Sequence, residues 1–159
     1  MRQVAIFGGT FDPVHWGHLI VAETALHQVP LEQVIWVPTH CPPHKKKVAR
    51  FEHRWEMVSM AIANYPAFVM SPLTINFKQT YPIQTLTDLQ AIYLNTQWYW
   101  IVGLDAFKTL PRWYRRQELV AACKWLVAPR AGDGEDERVC EQVVWELGEQ
   151  GIRICWQLL

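Results

Sequence analysis

Short apolar runs alternate along this chain with apolar positions spaced three and four apart. Gln3–Phe7 is an apolar run ending in Gly8-Gly9, the pattern of a buried strand feeding a turn. Leu19, Ala22, Leu26 and Val29 then follow helical spacing as far as Pro30. Gln33–Val37 predicts a second strand closed by Pro38, and Phe51, Trp55, Val58, Ile62 and Tyr65 predict a helix stopped by Pro66. A short strand is expected at Phe68–Ser71. Pro82 suits the first turn of a helix, where its missing N–H costs nothing, with Ile83, Leu86, Leu89 and Tyr93 as the buried face. Trp98–Gly103, aromatic and β-branched, predicts a further strand. Pro111 separates a short helical piece from another at Arg116–Ala122. Lys124–Ala128 predicts a strand ended by Pro129, Glu135–Leu147 an amphipathic helix with Val139, Val143 and Leu147 on one face, and Ile152–Trp156 a last strand.

Alternation of apolar strands with helices predicts an α/β protein, a Rossmann-like three-layer α/β/α sandwich around a mostly parallel sheet. In such sheets ligands sit beyond the carboxyl ends of the strands, so chemistry is sought in the residues that follow each strand. The chain has 159 residues, a length that suggests a single domain, 1–159, with enough core to need no staple. Its 15 basic and 15 acidic side chains give no net charge, which argues against whole-surface attraction to nucleic acid or anionic lipid. Cys41, Cys123, Cys140 and Cys155 are scattered, without finger-like spacing, and no apolar run approaches a membrane span. A cytoplasmic protein is expected, with self-association left open. Nine tryptophans could serve as core or as stacking surfaces.

After the first strand comes Gly8-Gly9-Thr10-Phe11-Asp12-Pro13-Val14-His15-Trp16-Gly17-His18, which is neither a dinucleotide-fold nor a P-loop fingerprint. Its physics still suits phosphate. Glycines allow close backbone approach, and a helix beginning near Trp16 presents N–H groups and a favourable dipole. His15 and His18 would project toward one side and could donate to phosphate oxygens and take on positive charge; they could equally be surface histidines beside a turn. Thr39, His44 and Lys45–Lys47 follow the second strand, either as a phosphate-holding cluster or as a solvated basic loop. Thr80 or Tyr81 stands at a helix start, where N–H groups could bind a carboxylate or merely be capped, with Thr85 just inside. After the Trp98–Gly103 strand, Asp105 could accept hydrogen bonds from a ribose and Trp113 could stack on a flat ring, or each could be a cap and a packed aromatic.

Taken together these motifs resemble the bacterial nicotinate-nucleotide adenylyltransferases, within the nucleotidylyltransferase superfamily marked by [HT]-x-G-H. The resemblance runs from Ala5 through Arg130: Gly8–Leu19 matches GGTFDPxHxGHL without a mismatch, Pro38–Lys45 is similar to a PxxxPPHK loop, Thr80–Leu86 to SYTx[DQ]TL, and Gly103–Trp113 to G-x-D…W. It implies transfer of AMP from ATP to nicotinate mononucleotide, giving deamido-NAD and pyrophosphate, with Mg²⁺ accompanying ATP and no nucleic acid or membrane partner. It implies His15 and His18 as the catalytic pair, and Gly8, Gly9, Thr10, Phe11, Gly103 and Asp105 with them at ATP. Thr39, His44, Lys45, Thr80, Tyr81, Thr85 and Trp113 would then hold the mononucleotide, with no resident metal ligand. Two departures stand out. Thr80-Tyr81-Pro82 replaces Ser-Tyr-Thr, removing one N–H from the pyridine side, and the late ISSTxIR stretch of the family has no counterpart here. Alternatives are a phosphopantetheine-specific relative and a non-catalytic nucleotide-binding remnant.

Overall fold

The computed structural model describes residues 1–40, 47–73, 81–130 and 134–159. Six strands, β1 (Arg2–Gly9), β2 (Gln33–Pro38), β3 (Phe68–Met70), β4 (Thr96–Gly103), β5 (Cys123–Ala128) and β6 (Trp156–Leu158), form one sheet in the order β3-β2-β1-β4-β5-β6. Every neighbouring pair is parallel. Between them lie α1 (Trp16–Gln28), α2 (Phe51–Ile62), α3 (Pro82–Ile92), a single turn α4 (Leu104–Phe107), a 3₁₀ turn at Leu110–Arg112, α5 (Arg116–Ala122) and α6 (Asp136–Glu149).

The alternation of side chains along the strands explains the layers. Val4 and Ile6 of β1, with Trp98, Trp100 and Val102 of β4, face the apolar stripes of α3, α5 and α6. Ala5 and Phe7, with Tyr99 and Ile101, face Leu19, Ala22 and Ala25 of α1 and Val58 and Ile62 of α2. The interior strands are apolar on both faces because both faces are covered. Trp36, Trp98, Trp100 and Trp125 are all core, whereas Trp16 and Trp145 are exposed. Among the described residues no helix is long and apolar enough to cross a membrane.

Two expected elements are displaced. The helix expected to reach Tyr65 ends at Ile62, and its buried positions are Arg54, Val58 and Ile62 rather than Phe51 and Trp55. The last strand pairs at Trp156–Leu158 instead of Ile152–Trp156, because the register places Trp156 opposite Trp125. Position matters more than these boundaries. β1 and β4 are neighbours at the centre of the sheet, with β2 and β5 beyond them on opposite sides, so the crevice at their carboxyl ends is the switch point of the sheet.

Candidate active site

β1 leaves the sheet at Gly9 and turns sharply. Phe11 takes a φ of 49°, a left-handed conformation that a side chain with a Cβ adopts only at a cost. Burial offsets it. The Phe11 ring is 2% exposed and sits with its centroid 5.5 Å from Phe7, 5.3 Å from Trp36 and 5.0 Å from the His18 ring, which it meets edge to face. A Cβ at Gly9 would come 3.1 Å from that ring, so glycine there keeps Phe11 seated. Phe11, expected at ATP, thus has its side chain beneath His18 and in the core.

His15 is the N-cap of α1. Its Nδ1 accepts from the Gly17 N–H at 3.0 Å, while the His15 N–H donates to Nδ1 of His18 at 3.1 Å, closing a reciprocal capping box. The two rings stack with centroids 3.9 Å apart and planes 28° from parallel. An imidazole nitrogen that accepts a backbone N–H leaves its hydrogen on the other nitrogen. In the neutral tautomer each ring then carries its hydrogen on Nε2, on the side away from the cap at the start of α1. Gly17 is required sterically, since a Cβ there would lie 2.8 Å from Cε1 and 2.9 Å from Nδ1 of His15.

On the β2 side, Thr39 donates its N–H to Gly9 O at 2.8 Å, holding the two strand ends together. Asp12 Oδ2 accepts the Ala49 N–H at 3.2 Å. Arg54, 1% exposed, donates through Nη1 to Thr10 O and Thr39 O, both at 2.8 Å, through Nη2 to His40 O at 3.2 Å, and through Nε to Ala49 O at 2.8 Å. No motif singled out Arg54. Its signal was available in the spacing, because 54, 58 and 62 fall on one helical face and a charge on a core face needs a reason.

On the β4 side, Gly103 caps α4 and opens onto empty space, and Asp105 in the first turn of α4 lies 3.3 Å from Arg130 beyond β5. Trp113 is half-buried, its Nε1–H held by Thr109 Oγ1 at 2.7 Å and its ring edge-on to Trp125. Tyr81 is the N-cap of α3, and its ring lies against exposed Tyr114, a residue the sequence did not single out, with centroids 4.5 Å apart. Thr85 is buried within α3. The structure thus gathers Gly8, Gly9, Thr10, His15, His18 and Thr39 at the ends of β1 and β2, and Gly103 and Asp105 at the end of β4. His44, Lys45 and Thr80 lie outside the described residues. Among those described, no group of three or more His, Cys, Asp or Glu stands together to hold a metal ion.

The chain is similar to known proteins over most of its length. Residues 6–154 match the cytidylyltransferase-like family. A protein of Nostoc sp. (strain PCC 7120) named "Probable nicotinate-nucleotide adenylyltransferase" is 54% identical over 164 residues, covering 100% of this chain and 78% of that protein. One of the same name from Synechococcus sp. (strain JA-2-3B'a(2-13)) is 47% identical over 149 residues, covering 92% of this chain and 74% of its own. The nicotinic acid mononucleotide adenylyltransferase of Plasmodium falciparum, solved in complex with NaAD, shares the fold at a TM-score of 0.77 and 18% identity, covering 100% of this chain and 75% of that one. The strand order, the capped histidine pair at the switch point and these relationships agree, and the chain belongs to the cytidylyltransferase-like nucleotidyltransferases and, within them, to the nicotinate-nucleotide adenylyltransferases.

Proposed function

We propose that this chain transfers AMP from ATP to nicotinate mononucleotide, releasing pyrophosphate and forming deamido-NAD. The observation that carries the reading is the stacked pair His15 and His18, tied by a capping box beyond the carboxyl end of β1, in a chain 54% identical to a relative of that name. The nucleophile needs no base. A phosphate monoester is already largely dianionic near neutrality, its second pKa being about 6. Its oxygen forms a bond to the α-phosphorus as the bond from that phosphorus to the bridging oxygen breaks, and pyrophosphate leaves with the electron pair.

Negative charge grows on the phosphate oxygens in that step, and preorganised donors stabilise it most when they need not reorient. His15 and His18 meet that requirement because the backbone holds each ring. Thr10, Gly9 and the N-terminus of α1 line the same phosphate turn. Mg²⁺ enters as the ion carried by ATP, part of the substrate. Asp105 takes the adenosine ribose, Trp113 stacks on the pyridine ring, and the start of α3 at Tyr81 faces the pyridine carboxylate. Pro82 at the first helical position has no N–H to give, which leaves the start of α3 one donor fewer for the pyridine carboxylate.

Incubation of the chain with ATP, Mg²⁺ and either nicotinate or nicotinamide mononucleotide, following pyrophosphate and dinucleotide, tests the reading. The acid is expected to turn over faster, and His18→Ala to lower kcat by about 10²- to 10³-fold with the KM for ATP nearly constant. Product formed only with phosphopantetheine would move the substrate assignment. ATP binding without product from any acceptor would make the chain a nucleotide-binding protein without turnover.

A further inference from the structure

Arg54 has a geometry that packing alone does not require. A buried guanidinium cannot shed its charge, and taking it out of water is costly unless its donors are used. An apolar side chain of similar volume would complete the stripe of Val58 and Ile62 without that cost. Arg54 instead spends its planar fork on backbone oxygens of two different strand ends. One Nη1 bridges Thr10 O, just past β1, and Thr39 O, just past β2, each at 2.8 Å. Nη2 reaches His40 O at 3.2 Å and Nε reaches Ala49 O at 2.8 Å. Ala49 is tied back a second time, through its N–H to Asp12 Oδ2 at 3.2 Å. The guanidinium also lies over the Phe51 ring, 5.6 Å from its centroid, and Phe51 in turn stacks on His40 at 4.8 Å. A lysine ammonium, with three donors on one nitrogen, could not span these four oxygens as the planar fork does.

Thr10 belongs to the turn assigned to ATP phosphates, and Thr39 begins the loop assigned to the mononucleotide. We infer that Arg54 is a positioning residue that fixes the spacing between Thr10, just past β1, and Thr39 and His40, just past β2, and thereby aligns the attacking phosphate with the α-phosphorus. The inference rests on the adenylyltransferase reading above. In-line transfer between two bound substrates depends on their relative placement more steeply than the binding of either one alone. A displacement of about 1 Å is enough to cost on the order of 10²-fold in rate.

Arg54→Lys and Arg54→Ala, assayed beside the native chain with both substrates varied, provide the test. Expected is a fall in kcat of about 10²-fold in both variants, with each KM moving less than about threefold. Adding free guanidinium, well below denaturing concentration, is expected to recover part of the loss in Arg54→Ala and none in a His18→Ala control. Unchanged kcat in Arg54→Lys, a rise in KM alone, or a lowered melting temperature with unaltered turnover per folded molecule would each overturn the inference. Should Arg54→Ala not fold, Arg54→Lys decides, since it keeps the charge and most of the volume. If the native chain forms no dinucleotide, the function reading falls and this inference with it; if only the variants behave like the native chain, this inference alone falls.

Discussion

At the residue scale the site depends on small steric and hydrogen-bonding choices. Gly17 is the clearest. It occupies a helix, where alanine is ordinarily the better residue by about 1 kcal/mol, yet a Cβ there would meet His15 at 2.8 Å. Gly17→Ala is therefore expected to lower kcat by at least about tenfold as His15 loses its place, with little change in melting temperature because the lost cap offsets the gain in helix propensity. A parallel fall in both would mean that Gly17 serves the fold instead. Trp113 is fixed differently, by Thr109 and by Trp125. Trp113→Ala should raise the KM for the mononucleotide by about tenfold or more, the scale of one lost ring stack, and leave the KM for ATP nearly alone. The motif around His15 and His18 was legible because the residue types are unusual in that order. Their tautomers were not, because these follow from which backbone N–H each ring accepts. Arg54 was overlooked for a related reason: a charged residue on an apolar stripe reads as an interruption until its acceptors, 5 to 44 positions away in sequence, are seen.

At the element scale, helices were legible wherever an apolar stripe ended in proline. Boundaries shifted where tertiary contacts decided them. α2 stops before Tyr65 because that ring packs on Phe68 at 4.9 Å, off the helix and against β3. β6 moved along the chain because edge pairing is set by β5, although side chains alternate inward and outward from Ile152 onward. α6 shows how far one stripe carries a helix. Leu147 and Val143 are buried against the sheet, while Trp145 between them is 61% exposed. Leu147→Ala should cost about 2–5 kcal/mol of unfolding free energy by urea titration, and Trp145→Ala less than about 0.5 kcal/mol. Equal costs would mean that Trp145 packs as firmly as Leu147 and that α6 buries a different face.

At the scale of the whole molecule, burial sets the chemistry of the cysteines. It pushes the Cys123 thiol up to about 12, and burial, with Asp136 and Glu137 adding to it, pushes Cys140 up to about 11. A thiol whose pKa is higher folded than unfolded keeps its proton in the native state after the unfolded chain has lost it. Stability is whole below the ordinary value of 9.0 and falls as pH rises toward those values. The urea midpoint should drop between about pH 8.5 and pH 10.5, less steeply in Cys123→Ala; a slope identical in both would remove Cys123 as a cause. The sequence by itself determined the alternation of strands and helices and the glycine turn with its histidine pair, because each is written in local spacing, whereas the chemistry of that pair was implied by the family resemblance. Only the tertiary structure decided that β1 lies beside β4 rather than β3, that the ends of β1 and β2 are clamped by one guanidinium, and that Phe11 supports His18 from below. Strand order and clamp alike depend on groups distant in the chain, whose meeting is fixed by burial of both faces of the sheet and not by any local pattern.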